Sequence, residues 1–121
     1  MQIYSRIDEI IKEDAGNRNI IPFTKRNILF HSAQSLLSAK EVVIVTGFYI
    51  EKMETGETDG PLGAVFLAQA LEKLHIKVTI LTSPFNKEIM EAAINALQLN
   101  TTLITVDAGM EMEVFPQILS N

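Results

Sequence analysis

The sequence predicts an α/β fold, and three observations carry that prediction. Val42, Val43, Ile44 and Val45 form a continuous β-branched run, and a strand that is apolar on both faces suits the middle of a covered parallel sheet. Two further short β-prone runs follow at 78–81 and 101–106. Each gap between these runs holds a segment whose apolar residues recur at helical spacing. Alternation of strand and helix gives a parallel sheet with right-handed crossovers. The expected architecture is a three-layer parallel sheet with helices on both faces, like half of a Rossmann-like fold, preceded by two helices. Strand order 3-2-1 or 2-1-3 satisfies the pattern equally.

The first helix rests on Ile3, Ile7, Ile10 and Ile11, which share one stripe, while Asp8, Glu9, Lys12 and Glu13 take the other side. Gly16 is its expected stop. Asn17-Arg18-Asn19 reads as a turn, and Ile20-Ile21-Pro22 as extended, because the residue before proline avoids the helical region. A second helix is expected over about 24–39, burying Leu29, Ala33, Leu36 and Leu37, with His31 on the same stripe as a structural histidine. The first strand, 42–46, ends at Thr46-Gly47 and leads into a long polar loop. The third helix, 61–74, opens on Gly60-Pro61. Pro61 suits a first helical position, Thr58 or Asp59 can cap the free N–H groups, and Gly63 lets the helix approach the sheet. Its inward residues are Ala64, Leu67, Ala68, Leu71 and Leu74. After the strand at 78–81, Ser83 or Asn86 is expected to cap a fourth helix that buries Ile89, Ala93, Ala96 and Leu97 and closes at Asn100. The third strand is 101–106. The tail from Asp107 shows no clear strand, and Pro116 breaks it.

Composition narrows the function classes. A chain of 121 residues, 47% hydrophobic with four prolines, fits one ordered α/β domain over 1–121. The formal net charge is −5, and no basic cluster offers a face for phosphates, so no nucleic-acid partner is expected. With no cysteine there are no disulfides, thiolate metal sites or cysteine nucleophiles, which fits a reducing compartment. No apolar run reaches the roughly 18 residues that a membrane helix needs, and the acidic, amphipathic N-terminus resembles neither a signal nor a transit peptide. A cytoplasmic location is expected.

Ligands of open α/β sheets bind beyond the C-terminal ends of the strands. That rule gathers Thr46, Gly47, Phe48, Thr82, Ser83 and Asp107, and the loop after the first strand brings Glu57, Thr58, Asp59 and Gly60 to the same end. The free N–H groups of the third helix favour an anion there. A dinucleotide fingerprint is absent: Gly47 is followed by a long loop, and Gly60 and Gly63 come late. No phosphate loop or G-x-S-x-G elbow occurs. His31 and His75 have no metal spacing, and Glu111 and Glu113 read as solvated. Met53, Met110 and Met112 are loop methionines. Capping alone would also account for the acids of E-T-D-G-P, and Thr58 or Asp59 can serve both purposes.

The words Thr46-Gly47-Phe48 and Glu57-Thr58-Asp59-Gly60-Pro61, with Gly63-Ala64 behind them, resemble the D-glutamate cyclase family. The likeness runs along the chain, and the longer family domain makes this chain similar to its N-terminal part. The resemblance implies a lyase that converts D-glutamate into 5-oxo-D-proline and water. Such a reaction needs a base for the amine, an activated γ-carboxyl and a folded substrate. Residue type and position make Glu57 and Asp59 the acid and base, since neighbouring carboxyls hold a shared proton more tightly. Thr46, Gly47, Phe48, Thr58 and Gly60 are the expected contacts to a small amino-acid or carboxylate substrate. No cofactor is expected; a divalent metal is left open. Three strands leave two unpaired edges, so the chain is expected either to be a fragment of the longer domain or to be completed at a sheet edge by another copy, as a homo-oligomer, or by another chain. The alternatives are a non-catalytic α/β module binding a small anion or nucleotide, and an assembly fragment completed by a partner.

Overall fold

The computed structural model describes residues 2–14, 16–25, 27–47, 49–53, 55–56 and 59–107. The chain divides into two compact units, Met1–Ala39 and Lys40–Asn121. Glu57, Thr58, Phe48, Pro116 and the expected solvated pair Glu111 and Glu113 lie outside the described residues, as do Met110 and Met112.

The first unit holds helix α1 (Gln2–Ile11) and helix α2 (Ile28–Ser38), which pack on each other. The amphipathic reading of α1 is corrected at one position. Asp8, assigned to the outer side, is only 4% exposed, and its Oδ1 accepts the Leu29 N–H at 3.1 Å. The first N–H groups of a helix have no partner within it, and Asp8 supplies one for α2 from a neighbouring helix. Ile3, Ile7, Ile10 and Ile11 are exposed. Helix α2 starts four residues later than expected. Thr24 Oγ1 donates to the Ile21 carbonyl and Asn27 adopts a left-handed conformation, so neither joins the helix. On α2, His31 and Leu37 face outward.

The second unit is an α/β arrangement: a three-stranded parallel sheet flanked by helices. Strands β1 (Glu41–Val45), β4 (Lys77–Thr82) and β5 (Thr102–Thr105) lie in the order β1-β4-β5, the first of the two orders expected. Ile44 pairs with Ile80, which pairs with Leu103. The strand expected at the centre is an edge among the described residues. Strand β4 takes the middle, and Val78 to Thr82 are all buried. A β-branched run reads alike at an edge and at a centre, so periodicity does not separate them. The expected polar loop after β1 contains a small antiparallel pair, β2 (Tyr49–Ile50) with β3 (Thr55–Gly56).

Helix α3 (Asp59–Glu72) and helix α4 (Lys87–Ala96) form the two crossovers and touch one another. Pro61 is the third residue of α3 rather than the first, still within the turn whose N–H groups are unused. The buried stripe of α3 is Pro61, Ala64, Val65, Ala68 and Leu71, with Leu67 and Leu74 exposed. Small alanine side chains, not Gly63, let α3 approach the sheet: a Cβ at Gly63 would meet nothing within 4 Å. On α4 the buried residues are Met90 and Ile94, one position round from the expected Ile89, which is exposed together with Ala96. Neither Ser83 nor Asn86 caps α4 through its side chain. Both helices end on a left-handed non-glycine residue. His75 ends α3 with Ile76 N–H bonded to Leu71, and Gln98 ends α4 with Leu99 N–H bonded to Ile94. The expected stop at Asn100 therefore falls two residues late.

Candidate functional site

The C-terminal ends of β1 and β4 lie side by side in the second unit. The ladder runs one residue past β1, where Thr46 N–H donates to the Leu81 carbonyl at 3.0 Å. It also runs past β5, where Val106 N–H donates to the Thr82 carbonyl at 2.9 Å. Thr46 and Thr82 thereby occupy neighbouring positions at the strand ends. Gly47 follows with φ +112°, a conformation that side-chain-bearing residues rarely adopt. Space imposes glycine there as well. A Cβ on Gly47 would lie 2.6 Å from Thr82 Oγ1 and 2.8 Å from Asn86 Nδ2.

Beyond β4, Pro84–Asn86 forms a single 3-10 turn. It turns the Asn86 side chain inward, leaving Asn86 2% exposed, with Nδ2 donating to Ser83 Oγ at 3.1 Å. The same carboxamide lies against Gly56 on β3, where a Cβ would collide with Asn86 Oδ1. Tyr49 on β2 stacks on Phe85, ring centroids 4.2 Å apart at 24°. The β2–β3 pair is therefore fixed over the end of β4 by an aromatic stack and by an amide fitted between two glycines. Among the described residues, Thr82 Oγ1 is the buried side-chain polar atom with no hydrogen-bond partner.

Of the residues expected to bind or react, the structure brings four together. Thr46 and Gly47 leave β1, and Asp59 and Gly60 open α3. A Cβ on Gly60 would lie 3.0 Å from Thr46 Oγ1, so the start of α3 abuts the end of β1. Asp59 is exposed, and its Oδ1 accepts the Gly60 N–H at 3.0 Å. Its carboxylate sits where the helix dipole favours negative charge. Phe48, Glu57 and Thr58 lie outside the described residues. Asp107 follows β5 and is exposed.

Sequence reasoning missed the placement of Asn86 and Gly56. Asn86 carries the letter of a helix cap, and nothing in its neighbours distinguishes a cap from a buried amide. The only available signal for Gly56 was a glycine closing a β-prone pair. No group of three or more His, Cys, Asp or Glu residues that could hold a metal ion occurs among the described residues. No helix among them is long and apolar enough to cross a membrane. A separate recess of about 230 Å³, lined by Tyr4, Ser5, Asn27, Phe30 and His31, belongs to the first unit.

Residues 7–118 match the family model described as D-glutamate cyclase-like, C-terminal. A human protein named D-glutamate cyclase, mitochondrial, is 32% identical over 111 residues, which cover 85% of this chain. The chain spans 18% of that relative's length. No solved structure matches the chain.

Proposed function

The chain belongs to the D-glutamate cyclase-like, C-terminal family, and from that premise we propose that it acts on D-glutamate, closing it to 5-oxo-D-proline with release of water. The substrate's amine nitrogen attacks its own γ-carboxyl carbon. A C–N bond forms, the C–OH bond breaks, and the oxygen leaves as water with protons from the amine and the acid. The observation that carries the reading is the meeting of Thr46, Gly47, Asp59 and Gly60 at one sheet end, in a chain 32% identical to a named D-glutamate cyclase.

In this reading the first N–H groups of α3 and the Thr46 hydroxyl hold a substrate carboxylate. Gly47, Phe48, Thr58 and Gly60 complete the contacts. Asp59, with Glu57 two residues earlier in the chain, moves the protons: one takes the amine proton and the other protonates the departing oxygen. Holding amine and carboxyl close, in a folded conformer, supplies the larger part of the acceleration.

The experiment is incubation with D-glutamate, followed by chromatographic detection of 5-oxoproline. The wild type accumulates product, and Asp59→Asn lowers the rate by about 10²-fold or more, in the range expected for a general acid or base. Asp59→Asn with an unchanged rate removes Asp59 from the mechanism. One observation favours a second reading, a non-catalytic module that holds a small carboxylate. Asp59 already engages the Gly60 N–H, one of the free N–H groups of the first turn of α3, so its carboxylate is occupied in holding the helix start. Saturable D-glutamate binding without product selects that reading.

A further inference from the structure

We propose that Thr82 is a ligand-binding residue, its hydroxyl donating to a carboxylate oxygen of a small amino acid or dicarboxylate seated beside the first turn of α3. The inference rests on the reading above, that this end of the sheet takes a carboxylate, and adds a residue to the site.

The first support is energetic. Thr82 is 4% exposed, and its Oγ1 has no hydrogen-bond partner among the described residues. A buried hydroxyl left unpaired costs free energy. Valine has nearly the same shape and is likewise favoured in strands, without that cost. Packing therefore accounts for a β-branched side chain at this position but not for its oxygen.

The second support is where the oxygen points. It faces Gly47, where an added Cβ would come within 2.6 Å. The chain thus passes the hydroxyl as bare backbone, in a conformation (φ +112°) suited to glycine. The neighbouring residue, Thr46, presents its own hydroxyl to Gly60 at the start of α3, at 3.0 Å from a Cβ there. Register adds the third support. Val45 pairs with Leu81 and Thr46 N–H bonds Leu81, so the two threonines are consecutive neighbours across the ladder. One hydroxyl therefore faces Gly47, and its neighbour across the ladder faces Gly60 at the helix N-terminus. A carboxylate oxygen reaches Thr82 Oγ1 by shifting the backbone of Gly47, which carries no side chain to clear.

Thr82→Val and Thr82→Ser in the full chain test the proposal, with thermal unfolding and calorimetric titration of D-glutamate and glutarate. Thr82→Val is expected to melt at or above the wild-type temperature while binding D-glutamate about tenfold more weakly, the scale of one lost hydrogen bond to a charged group. Thr82→Ser, which keeps the donor, is expected to bind close to wild type. Wild-type affinity in Thr82→Val overturns the role of Thr82 and leaves the D-glutamate reading standing. A lowered melting temperature in Thr82→Val also overturns it, because the hydroxyl would then serve the fold. Binding of glutarate alone, weakened in Thr82→Val, supports Thr82 and overturns D-glutamate as the substrate. Failure of the wild type to bind either compound overturns the inference.

Discussion

The buried Asn86 side chain ties together separate parts of the second unit. Its carboxamide occupies the space that side chains at Gly47 and Gly56 would need, so three residues far apart in the chain constrain one another. Adding a methyl group at Gly56 forces that amide to move. Gly56→Ala is expected to lower stability by about 1–3 kcal/mol, the usual range for overpacking a filled site. The double variant Gly56→Ala with Asn86→Ala is expected to be more stable than the sum of the two single changes, because the second change opens room for the first. Urea denaturation of the four proteins measures the coupling, and strict additivity would contradict the fit described. None of this was legible in the sequence. A glycine in a polar stretch and an asparagine at a helix start are the commonest turn and cap letters. Their meeting depends on the fold of the β2–β3 pair. Thr46, Gly47, Asp59 and Gly60 were legible as neighbours, because strand ends and the following helix start converge in any parallel α/β unit.

Element types were readable wherever periodicity was strong. The three parallel strands and both crossover helices follow from alternation of runs with period 2 or unbroken apolarity and runs with period 3.6. What periodicity does not carry is order and rotation. The central role of β4 depends on which strands flank it. The rotation of the buried stripe on α3 and α4 depends on where each helix begins. The C-terminal ends of α3 and α4 are set by left-handed residues at His75 and Gln98, neither of them glycine, so the usual stop letter is missing. In the second unit, a tertiary link joins elements by side-chain hydrogen bonds as well as by packing. Near the end of α3, Glu72 accepts from Asn100 N–H at 3.0 Å and from Thr101 Oγ1 at 2.5 Å. Its two oxygens tie α3 to the residues that lead into β5. Glu72→Ala is expected to cost about 1.5–3 kcal/mol, the range for hydrogen bonds to a charged group, read as a lower urea midpoint. A midpoint equal to wild type would show that the pair contributes nothing.

At the scale of the whole molecule, the second unit carries the chemistry in this account. Its parallel sheet, the β2–β3 pair and the start of α3 meet at one end, and the helix dipole there favours a negatively charged group. The first unit has a recess among Tyr4, Phe30 and His31, but the residues from which the proposed activity is built lie elsewhere. Family membership makes D-glutamate the compound to try, and the place proposed for it is this end of the sheet. The most direct test is a ¹⁵N-resolved titration of the protein with D-glutamate, following each backbone amide. A carboxylate site at this end of the sheet predicts saturable shifts sharing one dissociation constant at Thr46, Gly47, Gly60 and Thr82. Absence of saturable shifts at those amides, or shifts confined to Tyr4, Phe30 and His31, would contradict it.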